Sequence, residues 1–203
     1  SNELATISGC DLITNMWSYL SNGIYTASVD WDLGEGYNQV FVNGVMQHEA
    51  QYPNWTTTND LFNPATVPVT VYNNYSVTNT ATNGFGNLAG LDLSGAYFLG
   101  GVGEKWAWQS AAITSNNTQR VYLDSSTVPK TWWWPNQANA NSETGLGMVY
   151  GKLNLLDSDG EWYYDSEGGT LYLRIVGEGD PGTNTVEMKR RNWCMIIGGD
   201  YRT

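Results

Sequence analysis

No stretch of this chain repeats apolar residues at i, i+3, i+4 and i+7, the spacing a helix needs to bury one face. Short alternating runs closed by turn residues recur instead from end to end. The strongest is Gln39-Val40-Phe41-Val42, then Asn43-Gly44, then Val45-Met46. Asn-Gly accepts the positive φ angles of a type I′ turn, whose twist matches the strands it joins. A second hairpin runs from Glu161-Trp162-Tyr163-Tyr164-Asp165 through Ser166–Gly169 into Thr170-Leu171-Tyr172-Leu173-Arg174-Ile175. Further strands are predicted over Gly23–Val29, Pro68–Tyr75, Leu91–Leu99, Arg120–Leu123, Met148–Leu156, Thr185–Met188 and Cys194–Ile197. Asn54–Ala65, Val77–Gly90 and Asn136–Gly147 read as long polar connections, which in compact β-domains often carry function. The expected fold is all-β, an antiparallel β-sandwich or distorted barrel, forming a single β-rich domain over residues 1–203.

Charge narrows the partners. Nine Lys and Arg stand against 20 Asp and Glu, a formal net charge of -11. Such a surface repels phosphate backbones and anionic lipid heads, so neither nucleic acid nor membrane is an expected partner. It also repels anionic polysaccharides unless calcium bridges them, whereas neutral glycans meet no penalty. Only 14% of residues are charged, so Asn, Thr, Ser and Gly must supply much of the polar surface, a profile that suits a secreted, extracellular bacterial protein. No apolar run approaches the ~18 residues of a membrane-spanning helix. The chain opens on Ser1-Asn2-Glu3 without a signal peptide and reads as a piece of a longer protein. Its two cysteines, Cys10 and Cys194, lie near opposite ends. No Cys/His cluster suggests zinc, and whether the two cysteines are bonded stays open.

Two blocks carry a resemblance. Asn38-Gln39-Val40-Phe41-Val42-Asn43-Gly44 runs on to Glu49-Ala50-Gln51-Tyr52-Pro53-Asn54. Leu155-Leu156-Asp157-Ser158-Asp159-Gly160-Glu161-Trp162-Tyr163-Tyr164-Asp165 is followed by Gly169-Thr170-Leu171-Tyr172-Leu173, Asp180-Pro181 and Val186-Glu187. Together they resemble the β-domain inserted early in right-handed parallel β-helix proteins, a group that includes glycoside hydrolases and polysaccharide lyases. The resemblance covers about Ile7 to Tyr52 and Tyr150 to Tyr201. It departs at Gln51, where the family usually has Arg, so a contact made by that Arg should be missing. The resemblance implies that Ile7-Ser8-Gly9-Cys10-Asp11 ends one β-helix-like rung and Trp193–Tyr201 begins the next. That would bring Cys10 and Cys194 close together. Because the helix carries catalysis in these families, the inserted part is implied to be non-catalytic.

The middle of the chain matches nothing in that family and holds most of its indoles. The chain has 10 Trp and 13 Tyr but only 4 Phe, an excess of aromatics with a polar handle. In a strand, Trp132 and Trp134 of Trp132-Trp133-Trp134-Pro135 would share one face and Trp133 the other. Trp106-Ala107-Trp108 repeats that geometry. Indole faces stack on the C–H faces of sugar rings, and amides such as Asn136 and Gln137 bind their hydroxyls. The expected site is therefore carbohydrate-binding: Trp132, Trp133, Trp134, Trp106, Trp108, Trp55, Asn136 and Gln137. The alternative is that several of these indoles fill the core, as Trp17 and Trp162 are expected to do.

Catalysis is the weaker expectation. A glycosidase needs two carboxyl groups across one bond, roughly 5–9.5 Å apart. Glu49, Asp157, Asp159, Glu161 and Asp165 are candidates, with His48 beside Glu49, but Asp157–Asp165 reads as turn chemistry. No cofactor is expected. Calcium on the oxygen-rich Asp30-x-Asp32 or Asp157-x-Asp159-Gly160-Glu161 is the alternative, although neither completes an EF-hand loop. The favoured function is a non-catalytic, monomeric module for a neutral polysaccharide or oligosaccharide of the xylan, β-glucan or galactan class. The rivals are a structural or substrate-guiding insertion of a β-helix enzyme and, less favoured, a glycoside hydrolase in its own right.

Overall fold

The computed structural model describes residues 8–56, 59, 63–73, 76–79, 85, 88, 90–102, 108–128 and 144–193. Its strands in chain order begin with β1 (Cys10–Leu12), β2 (Ser18–Ser21), β3 (Ile24–Ser28), β4 (Val40–Val42), β5 (Val45–Met46), β6 (His48–Glu49), β7 (Gln51–Tyr52) and β8 (Val67–Asn73). They continue with β9 (Ser76–Asn79), β10 (Tyr97–Gly101), β11 (Gln109–Asn116), β12 (Arg120–Leu123), β13 (Thr144–Tyr150), β14 (Glu161–Asp165), β15 (Thr170–Arg174) and β16 (Val186–Lys189). Short 3-10 turns are the helical content among the described residues, so the chain is all-β as its sequence pattern requires. The strands gather into two compact units, Ser1–His48 with Asp159–Thr203, and Glu49–Ser158.

The first unit is a sandwich. One antiparallel sheet runs β1-β16-β4-β5 and the other contains β2-β3-β15-β14 in that order. Alternation along each strand turns one set of side chains inward. Val40, Val42, Val186 and Met188 from the first sheet meet Trp162, Leu171 and Leu173 from the second in one core. Burying each such side chain contributes about 1.5–3 kcal/mol relative to leaving it in water. Trp162 is core, as expected, and its buried indole N–H donates to the Gln47 carbonyl at 3.3 Å. The Asn43-Gly44 turn forms with φ of 51° and 79°. Asn43 has a second task there: its Oδ1 accepts from Thr185 N at 3.0 Å, and its Nδ2 donates to Asn184 Oδ1 at 2.7 Å. The turn is thereby tied to the approach to β16.

The second unit is a barrel. Strands follow the order β10-β11-β12-β9-β8-β13, and β13 pairs back onto β10, closing six antiparallel strands into a ring. The far edge of β13 is shared, with β8 pairing to its first half and β7 to Val149 and Tyr150. Closure leaves the six strands no long open edge to template aggregation. Val69, Val71, Val77, Phe98, Ala111, Ile113, Val121, Leu123 and Val149 fill the interior. Phe98 is its largest ring, and it lies across two facing glycines. A Cβ built on Gly100 or Gly147 would come within 2.6 Å of Phe98 ring carbons.

Several strands depart from expectation. β11, at eight residues the longest described, has no strong hydrophobic alternation; it contributes only Ala111 and Ile113 to the buried interior. Ala111 stands directly opposite Phe98. All of β9 but Ser76 falls within the expected polar connection Val77–Gly90. Leu91–Ala96 is loop rather than strand, and Leu153–Leu155 is a 3-10 turn rather than the continuation of a strand. At the N-terminal end, Cys10–Leu12 pairs antiparallel with β16. Ile7 and residues 194–201, on which the remaining rung expectation and the Cys10–Cys194 question rest, lie outside the described residues.

Candidate functional site

The barrel wall carries an apolar row that the strand register explains. Gln109 of β11 pairs with Gly100, so the preceding Trp108 falls level with Gly101. Gly101 pairs with Leu146, and Leu146 pairs with Pro68 of β8. Trp108, Leu146 and Pro68 are all exposed, the first two by 40% and 46%. Neighbouring strands lie ~4.8 Å apart, which puts Trp108 and Leu146 roughly 10 Å apart with a side-chain-free glycine between them. An exposed indole and an exposed leucine, level with each other across the strands of a closed ring, make an apolar patch at the water interface.

Beyond the other end of β11, a groove of about 570 Å³ is lined by Asp92, Ser94, Thr114, Asn116, Asn117 and Thr118 among others. Asn116 shapes it. Its Oδ1 accepts from Leu93 N at 2.9 Å and its Nδ2 donates to Leu91 O at 3.0 Å, so the side chain docks the loop as a strand would. The Asp92 carboxylate is held below the usual range by the Ser94 hydroxyl first, then the Ser94 N–H and the Lys152 charge. Lys152 Nζ itself donates to Ser94 O, and Asn154 Nδ2 donates to Asp92 O at 2.7 Å. Hydroxyls, amides and one carboxylate line this groove.

Among the expected sugar-binding residues, Trp108 is exposed as described and Trp55, just after β7, is half-buried. Trp106, Trp132, Trp133, Trp134, Asn136 and Gln137 lie outside the described residues. Trp17 departs from the simple core expectation. It packs on the sandwich core but remains partly exposed and lines a surface groove.

Three of the carboxylates weighed for catalysis do structural work. Asp159 Oδ1 takes Arg174 Nε at 2.8 Å while its Oδ2 accepts from Gly177 N at 2.9 Å. Asp157 accepts from Asn54 Nδ2 at 2.8 Å, and Asp165 accepts from Glu167 N at 3.1 Å across the hairpin turn. Glu161 is buried. Asp32 Oδ1 accepts from Gly34 N and Asn38 Nδ2, closing its own loop. Burial holds His48 below its ordinary pKa by disfavouring the cation. Among the described residues no three His, Cys, Asp or Glu side chains gather into a metal-binding group, and no helix is long and apolar enough to cross a membrane.

Sequence reasoning missed Leu146, Pro68 and the polar groove. The only local signal was the alternation in Thr144-Gly145-Leu146-Gly147-Met148-Val149, and it could not say which neighbour stood beside Leu146.

No family model matches this chain, and no curated protein does. A solved structure described as "Glycoside hydrolase" shares its fold with a TM-score of 0.61 at 16% identity, over 89% of this chain. The chain spans 31% of that structure's length.

Proposed function

We propose that this chain is a non-catalytic carbohydrate-binding module, monomeric and extracellular, that holds a neutral polysaccharide of the xylan, β-glucan or galactan class. The observation that carries the reading is Trp108, an exposed indole fixed to the wall of a closed barrel and level with exposed Leu146. Pyranose rings present C–H faces to such a platform, and the hydroxyl- and amide-lined groove offers partners for their hydroxyl groups. The net charge of -11 opposes uronic-acid chains and leaves neutral ones unopposed. Trp132, Trp133, Trp134 and Trp106, with Asn136 and Gln137, remain candidate sugar contacts on sequence grounds.

A second reading has its own support. The fold recurs as a fraction of a larger protein named a glycoside hydrolase, which fits an accessory part that guides substrate beside a catalytic body and binds little alone. Affinity electrophoresis of the intact chain in xylan, β-glucan and galactan gels separates the two. Retardation that Trp108→Ala or Trp134→Ala abolishes supports the binding module. A folded chain that migrates freely in every gel supports the guiding role. Release of reducing sugar would overturn both.

A further inference from the structure

The sandwich has a groove of its own, distinct from both surfaces on the barrel. The connection from β1 to β2 crosses from one sheet to the other through Ile13–Trp17. The connection from β15 to β16 crosses back through Asp180–Asn184. Between these two crossovers lies a groove of about 350 Å³, near the small end of the roughly 300–1,000 Å³ typical of ligand sites. Paired loops at the end of a β-sandwich are a common place for recognition, because the sheets hold them rigidly.

The walls are well anchored. Trp17 packs against the core on one side and lines the groove on the other. Asn15 Nδ2 donates to Ser28 O at 2.5 Å. Asp180 Oδ1 accepts from Gly182 N at 2.8 Å, and Asn184 is held by Asp180 O, Thr183 Oγ1 and Asn43 Nδ2. These bonds leave a particular set of groups unused. Among the described residues, Asp180 Oδ2 and Asn15 Oδ1 accept no hydrogen bond, and the Trp17 indole N–H and the Thr14 hydroxyl donate none. Met16 stands at the rim, 91% exposed.

The unused groups discriminate between ligand classes. An anion would face the Asp180 carboxylate with no cation among the lining residues to offset it. A simple ammonium ion only donates, and would leave the indole N–H unanswered. A neutral sugar both donates and accepts at every hydroxyl, and its C–H face suits the indole and the Met16 thioether. We infer that this groove is a second glycan-binding site, in which Trp17 and Met16 form the apolar wall and Asp180 and Asn15 accept hydroxyl protons from a neutral pyranose. It shares the ligand class of the barrel reading but rests on separate residues in the other unit.

Heteronuclear NMR of the intact chain, titrated with xylohexaose, cellohexaose, laminarihexaose and galactohexaose in turn, tests the site. With at least one of them, the Trp17 indole N–H and the Asn15 side-chain amide should shift together and saturably. Asp180→Asn keeps the Oδ1 acceptor of its turn but replaces the free carboxylate oxygen by a donor, and should weaken that binding about tenfold. Trp108→Ala should leave it unchanged. Shifts confined to Trp108 would overturn this site and leave the barrel reading standing; shifts at Trp17 without Trp108 would do the reverse. Unaltered affinity in Asp180→Asn, or equal shifts with oligogalacturonate, would also overturn it.

Discussion

Replacing Gly147 by alanine asks whether Phe98 fills the barrel as tightly as its position indicates. Glycine in a strand interior normally costs about 0.5–1 kcal/mol relative to alanine, so a site with room would be stabilised by the change. Gly147 has no room: the new Cβ would sit 2.6 Å from two ring carbons of Phe98, against a comfortable carbon–carbon separation of roughly 3.5–4.0 Å. On the β10 side the ring lies over Gly100, where an added Cβ would come equally close. Phe98 is fully buried, so its shift must be passed to other packed side chains. Overpacking of this kind costs about 1–3 kcal/mol, which outweighs the entropic gain. The expected sign is therefore destabilising. Native-state hydrogen exchange of the β10 and β13 amides reads the effect within the barrel alone, whatever the sandwich does. In a Phe98→Leu background the offending ring carbons are gone and the Leu99 carbonyl oxygen, 3.1 Å from the new Cβ, still crowds it, so Gly147→Ala should cost less. The double-mutant cycle would report that coupling directly. Slower exchange in Gly147→Ala on its own would refute this account of the barrel core.

Gly44→Ala should destabilise the sandwich by about 1–2 kcal/mol, because φ is +79° and nothing stands within 4 Å of the added Cβ. The cost is then backbone strain alone, and an unchanged urea midpoint would contradict it. Acid should act on the same unit in two stages. Burial lowers the pKa of His48, so its contribution to stability is present above its unfolded value near 6.5 and is lost as pH falls through the depressed folded value. The Arg191 hydrogen bond, followed by Arg190, holds the Asp11 carboxylate low, so its contribution is present above roughly pH 4 and disappears at lower pH. Unfolding midpoints measured across that range should fall in both windows. His48→Gln should remove the first fall and Asp11→Asn the second, and a pH-independent midpoint would contradict both assignments.

What could be read from the amino acids alone was whatever depends on neighbours along the chain. The absent helical period fixed the all-β class. The Asn43-Gly44 and Ser166–Gly169 turns placed β4 with β5 and β14 with β15, because turn chemistry acts over a few residues. The turn role of Asp165 was legible for the same reason. What tertiary structure decided was everything that depends on which strands meet. β11 is strand because it pairs with β10 on one side and β12 on the other, a fact about distant residues that local hydrophobicity cannot carry. Closure of β13 onto β10 brought Leu146 level with Trp108, and two separate crossovers made a groove from Asn15, Trp17 and Asp180. Sequence could name indoles suited to a sugar, but the exposure of any one of them is set by packing between segments far apart in the chain.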